Sequence, residues 1–330
     1  MIKLKTFGSF TVGNGLTSVQ EGAWRSEKLE KLFVYLAMNR NRGVCIEDIS
    51  EAIWQVEEET DNPVGALKNL AYRLRKALRD ASFGEECIVS VRGGLYKWND
   101  DVEVTIDVEE FDRYINEAEM AFCRSKETAI ESYEKAIALY HGDFLPLRTD
   151  THWFMTLNAF YHSRYVNTVK ALAKLYIDTG CYEKLEQLCT KAVVYERSDE
   201  QIYSYLIVAR MRTKKVQMAF DTYETAKAIM DKDLGVRKTV MLNKVYEELL
   251  SVTKGASSYN IDEVKDDISE ESMNGVFMCG YPVFKEIYQL EVRKSARSTI
   301  PESLVLVTVV PMYSSQPDKN HSHMKDSMLI

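Results

Sequence analysis

Six polar side chains, Lys68, Asn69, Tyr72, Arg73, Arg75 and Lys76, fall within a single nine-residue stretch. Read with helical periodicity, they share the side of the helix away from a run of leucines. Arginine and lysine neutralise phosphates and bond to guanine edges; asparagine does the same for adenine; an exposed tyrosine stacks or donates through its hydroxyl. The set contains no carboxylate, histidine or thiol that could activate a nucleophile. Its chemistry is therefore recognition of a polyanion rather than bond breaking. From Pro63 to Arg79 there are five basic residues and no acidic one.

The elements that must hold this strip can be read from the flanking residues. Leu67, Leu70, Ala71, Leu74, Ala77 and Leu78 recur at three- and four-residue steps and form the apolar face of a helix spanning 63–80. Asp61 or Asn62 can cap it, and Pro63 suits the first helical position. After a short polar turn, C-I-V-S-V-R-G-G-L-Y-K-W over 87–98 predicts two strands joined around Gly93-Gly94, with Arg92 at the tip and Tyr96 on the second strand. A basic helix followed at once by a hairpin is the build of a winged helix, in which the helix enters the major groove and the hairpin touches the backbone. An amphipathic helix with a merely solvated cationic face is the bland alternative. The neighbouring hairpin argues against it.

The residues upstream fit the same plan. I-K-L-K-T-F, S-F-T-V and T-S-V-Q, all within residues 1–22, are short strands. Ser26–Asn39 predicts a helix capped by Ser26, and Glu47–Trp54 a second, shorter one. Glu57–Asp61 is an acidic loop. The 330-residue chain is 45% hydrophobic and 28% charged, as for an ordinary globular protein of two or three domains. Its net charge is −8, and residues 1–100 carry fourteen basic against fourteen acidic residues. Any contact with a polyanion must therefore come from a local patch.

From Asp107 onward the pattern is helical: Val108–Ala121, Lys126–Tyr140, Trp153–Thr179, Tyr182–Tyr195, Glu200–Arg212, Val216–Asp231 and Arg237–Ser251. Thr179-Gly180-Cys181-Tyr182 and Thr213-Lys214-Lys215-Val216 sit at equivalent turns 34 residues apart, the period of tetratricopeptide repeats. Residues 253–272 read as an acidic linker. Beyond it, Phe284–Ser298 is a basic helix, Leu304–Val310 is strand-like, and the last eighteen residues show no pattern, as in a disordered tail.

With these elements in place, residues 1–105 resemble the winged-helix output domain of two-component response regulators. The likeness rests on A-Y-R-L-R-K-A-L followed by V-R-G-G-L-Y-K-W, on Arg25 just before the first helix and on Trp54 after the second. Residues 106–252 resemble the bacterial transcriptional activator domain. That likeness rests on Asp107-Val108-Glu109-Glu110-Phe111, on Gly142-Asp143-Phe144-Leu145-Pro146, and on Ala219, Tyr223 and Leu234-Gly235-Val236. Arg237-Lys238-Thr239 replaces the proline that usually leads into the final helix. The order of the two is that of antibiotic-regulatory activators. Residues 273–330, with Cys279-Gly280-Tyr281-Pro282 and then Arg293 and Arg297, resemble the opening of a degenerate diguanylate-cyclase-like domain without its signature turn, and no cyclase activity is expected.

The expected architecture is mainly α: an N-terminal winged helix-turn-helix of mixed α+β structure, then an all-α tetratricopeptide-like helical repeat domain. The expected function is sequence-specific regulation of transcription, as an activator. Helix 63–80 would be the reader and hairpin 87–98 the wing, and the contact residues would be Arg25, Lys68, Asn69, Tyr72, Arg73, Arg75, Lys76, Arg92 and Tyr96. The alternative is a helical-repeat scaffold whose winged helix contacts protein. The implied partners are double-stranded DNA at tandem half-sites, a second copy of the chain at least on DNA, and RNA polymerase as a candidate contact of the helical domain. No cofactor, metal, enzymatic activity or membrane is expected. No G-x-x-x-x-G-K-[ST] loop occurs. The six cysteines are scattered without a C-x-x-C pair, and the N-terminus is strand-like rather than a secretory signal, which suits the cytoplasm.

Overall fold

The computed structural model describes residues 1–54, 62–83, 87–91, 94–148, 150–234, 240–256 and 281–295. They fall into two compact units, Met1–Ser257 and Ser258–Ile330.

The first unit opens with β1 (Ile2–Lys5), β2 (Thr11–Gly13) and β3 (Ser18–Gln20), an antiparallel meander. Alternation fixes its register: Ile2 and Leu4 are buried while Lys3 and Lys5 face water. Three helices follow, α1 (Glu27–Met38), α2 (Ile46–Ile53) and α3 (Pro63–Asp80). The hairpin of β4 (Ile88–Val91) and β5 (Leu95–Trp98) comes next. Val44, in the α1–α2 connection, bridges Tyr96 through two backbone hydrogen bonds of 2.8 Å and so adds a third chain segment to the hairpin.

One element was not anticipated. β6 (Val104–Ile106) is too short to show a period of two, yet it pairs in parallel with β1, Ile2 opposite Val104 and Leu4 opposite Ile106. The four-stranded order is β3-β2-β1-β6. The strand that ends the winged helix thus lies beside the strand that begins it, and Asp107 at its end opens the helical region.

That region runs α4 (Asp107–Ala121), α5 (Lys126–Leu139), a 3-10 turn (Pro146–Arg148), α6 (His152–Asp178), α7 (Tyr182–Tyr195), α8 (Glu200–Arg212), α9 (Val216–Leu234) and α10 (Val240–Ala256). Consecutive helices pack as hairpins in a tetratricopeptide-like array. The two turns spaced by 34 residues are the same structure. Gly180 and Lys214 both take left-handed backbone, with φ of 71° and 63°. Cys181 N donates to Tyr176 O and Lys215 N to Arg210 O, each at 2.8 Å. Thr179 and Thr213 each donate through the hydroxyl to the carbonyl four residues back. Each turn closes its helix with the six-to-one bond of a Schellman cap.

Arg237–Thr239 lie outside the described residues, and α10 is described from Val240. It lacks the proline entry, and a carboxylate from another helix takes over the cap: Glu200 accepts from Met241 N at 2.7 Å and Leu242 N at 2.9 Å. Leu242 and Leu249 are fully buried, so the helix is seated.

In the second unit a helix, α11 (Tyr281–Ser295), stands where Phe284–Ser298 was expected. It starts earlier because Pro282 fits a first turn, where its missing N–H has no helical partner to lose. Most of the acidic linker, the strand-like run Leu304–Val310 and the tail lie outside the described residues.

Candidate nucleic-acid interface

α3 is built as its sequence dictates. Asn62 caps it, its side-chain oxygen accepting from Gly65 N at 2.9 Å, and Pro63 fills the first turn. Leu67, Leu70, Ala71, Leu74 and Leu78 are buried, and the helix packs on α1 and α2. The opposite face is open: Lys68, Asn69, Tyr72, Arg73, Lys76 and Arg79 are all exposed. Tyr72 is 65% exposed, an aromatic ring left in water at the centre of a cationic strip. Among the described residues Lys68, Asn69, Tyr72, Arg73 and Lys76 form no side-chain hydrogen bond or ion pair. Their donors are available for an external acceptor.

The remaining expected contact residues divide. Arg75 is half-buried, and its Nε donates to the Ile88 carbonyl at 3.2 Å, which ties the reading helix to the hairpin. Tyr96 requires correction: only 5% of it is exposed, and burial pushes its hydroxyl pKa up. The alternation of β5 turns Tyr96 and Trp98 inward, so Tyr96 packs the hairpin instead of reaching outward. Arg92 lies outside the described residues. Arg25 is exposed at φ 51°, but its loop is held toward the helical domain. Gly22 N donates to Glu30 at 2.8 Å, and Arg148 pairs with Glu21 at 3.2 Å. Among the described residues no hydrogen bond or ion pair joins this loop to α3.

The motifs at Asp107–Phe111 and Gly142–Leu145 fasten the two expected domains together. Asp107 is buried, and its carboxylate accepts from Thr6 N, the Thr6 hydroxyl, Phe7 N and Val108 N, which locks β1 to α4. Phe111 meets Phe7 edge-on at 5.2 Å. Gly142 approaches Gly8 so closely that a Cβ on Gly142 would stand 3.0 Å from the Gly8 Cα. The backbone then zips, Gly8 N to Asp143 O and Leu145 N to Thr6 O, both at 2.9 Å. Charge finishes the seam. Lys31 pairs with Asp150, Arg148 with Glu30 and Arg40 with Glu109. Lys31 and Glu30 are each 2% exposed, so both depend on these partners.

Nearby, His162 bridges Asp143 at 2.8 Å and Glu196 at 3.1 Å. Chiefly through the bond to Asp143, its pKa is raised to about 9, while that bond holds the Asp143 carboxyl below its usual range. The imidazole is therefore cationic at neutral pH. Its partners come from two separate parts of the chain, the loop after α5 and the end of α7. No local signal marks Glu30, Lys31 and Arg148 as a network either, since 118 residues separate Arg148 from Glu30.

Among the described residues, no group of three or more His, Cys, Asp or Glu could hold a metal ion, and no helix is long and apolar enough to cross a membrane.

Comparison with known proteins adds to this geometry. Residues 106–250 match the family model of the bacterial transcriptional activator domain. The transcriptional regulator RedD of Streptomyces coelicolor is 24% identical over 238 residues, spanning 71% of this chain and 67% of RedD. Among solved structures, EmbR of Mycobacterium tuberculosis, in complex with a low-affinity phosphopeptide, aligns with a TM-score of 0.59 at 19% identity. That alignment covers 80% of this chain and 70% of the EmbR chain. At such identity the likeness to EmbR is one of fold.

Proposed function

We propose, for a chain that carries the bacterial transcriptional activator domain and belongs with the regulators built on it, that it activates transcription by binding specific double-stranded DNA through α3. One observation carries this reading: the exposed, unpaired strip of Lys68, Asn69, Tyr72, Arg73 and Lys76 on a helix whose back is fully packed. Asn69 and Arg73 are one turn apart and address neighbouring base edges, and the flanking lysines meet phosphate. The hairpin, tied to α3 through Arg75, would serve as the wing that grips the backbone.

One winged helix covers a modest area and seldom reaches regulatory affinity at cellular salt. The active form is a pair of chains on tandem half-sites about 10–11 base pairs apart, so that both read one side of the duplex. The helical domain links them and offers a surface to RNA polymerase.

A second reading, a helical-repeat scaffold for protein partners, draws on a groove of about 640 Å³ between α5 and α7. Tyr140, Tyr165 and Tyr195 line it together with Lys184 and Lys191. Selection of bound sites from random duplex, followed by salt titration on the selected site, separates the two. The DNA reading expects an enriched tandem motif and an affinity that falls steeply with salt as counterions are released. No enriched motif and a flat salt response leave only the scaffold.

A further inference from the structure

Tyr72 is 65% exposed, and no other aromatic ring among the described residues is as open. Phe160 and Tyr195, at 49% and 38%, each lean on a neighbouring ring. The Tyr72 side chain has no ring, cation or hydrogen-bond contact among the described residues. It stands near the midline of the strip. With 3.6 residues per turn, Lys68, Asn69 and Lys76 fall within about 60° of it around α3, and Arg73 follows it directly.

Folding does not call for a ring at this position. The solvated face of an amphipathic helix is built from charged and polar side chains. Tyrosine is a weaker helix former than the glutamate, glutamine or lysine that would serve there. A ring also brings a large apolar area whose burial is favourable, and here that area is kept in water. From Pro63 to Arg79 the helix carries cations and no carboxylate, so the surface that suits the strip is a polyanion. In its major groove a duplex offers donors, acceptors and one kind of apolar group, the C5 methyl of thymine. The faces of the bases, on which aromatic rings stack in single strands, are closed off in a duplex by the neighbouring pairs.

We propose that Tyr72 selects a thymine in each half-site by laying its ring against the C5 methyl, beside the base edges addressed by Asn69 and Arg73. The inference rests on α3 reading DNA and adds which chemical group its aromatic residue recognises. The rival contact, a phenol hydroxyl donating to phosphate, would hold the helix on the backbone without choosing a base. The methyl contact needs the ring; the phosphate bond needs the hydroxyl.

The full chain is titrated by fluorescence anisotropy with the duplex site selected as above, each thymine of one half-site being replaced in turn by deoxyuridine. That exchange removes the methyl and keeps every hydrogen-bonding edge. One position should lose affinity about three- to fivefold, the worth of one buried methyl. Tyr72→Ala should bind the thymine and deoxyuridine sites equally, and Tyr72→Phe should keep the wild-type difference. Neither substitution removes a packing contact among the described residues, so both variants should melt as wild type does. If Tyr72→Ala misfolds, Tyr72→Phe decides alone, because only the methyl contact survives loss of the hydroxyl. The proposal is overturned by a selected half-site without thymine, by wild-type indifference to deoxyuridine at every position, by the same sensitivity in Tyr72→Ala, or by a Tyr72→Phe variant weakened on both sites alike. No enriched site at all refutes the DNA reading itself, and the inference falls with it.

Discussion

Arg73 and Lys68 project from α3 into water, while Leu74, on the same helix, is fully buried. Substitution should separate these roles. Arg73→Ala and Lys68→Ala are expected to weaken binding to the selected site by about 1–3 kcal/mol with unchanged unfolding curves. Leu74→Ala should lower stability by about 2–5 kcal/mol through the cavity it leaves. Electrophoretic binding assays beside urea denaturation check both, and wild-type affinity in the two cationic variants would exclude α3 as the reader. Tyr96→Phe keeps the buried ring and should leave DNA affinity unaltered, in contrast to the role its sequence position suggested. His162 supplies a pH signature. Its folded pKa of about 9 exceeds the unfolded value of about 6.5, so its contribution is complete below about pH 6.5 and lost as pH rises through 9. His162→Gln should therefore be less stable than wild type by about 2–3 kcal/mol near pH 6, with the gap closing toward pH 9.5. A gap that stays constant across this range in chemical denaturation would rule out a charged histidine.

At the scale of elements, termini decide more than interiors. The 34-residue spacing preserves the turn because backbone bonds close it; the left-handed position holds glycine in one copy and lysine in the other. α10 has an interhelical cap in place of a local one. Glu200→Ala removes the acceptor for two amides and should cost roughly 1–2 kcal/mol, whereas Glu200→Gln keeps an oxygen there and should recover most of it. Thermal melts of the three chains test this order. Equal losses in both variants would show that the α8–α9 packing alone seats α10.

Across the first unit, the winged helix and the helical domain share one core and a charged seam rather than a hinge. A chain cut at residue 105 would lose Asp107 from Thr6 and Phe7, expose Phe7, and strip Lys31 and Glu30 of their partners. We expect residues 1–105 to melt well below residues 1–256, by about 4–8 °C for each kcal/mol lost. Calorimetry on the two chains decides it: equal melting temperatures would mean that the seam contributes no stability. α3 is therefore carried on the same core as the helical domain.

Period and composition alone placed the helices to within a few residues, the cationic strip on α3, and the 34-residue repeat, because each is a local property of spacing along one element. The motifs at Asp107 and Gly142 were visible as a resemblance, but their work was not. A carboxylate that bonds two backbone amides a hundred positions earlier leaves no trace in its own neighbourhood. β6 was hidden for the same reason: three residues show no alternation, and only β1 gives them a partner. Tyr96 was misread because outward and inward differ by one residue in a strand, and the packing of the hairpin on α1 settles which is which. The openness of Tyr72 also belongs to the tertiary structure: spacing puts the ring on the polar face of α3, but whether another element covers it depends on how the rest of the chain packs.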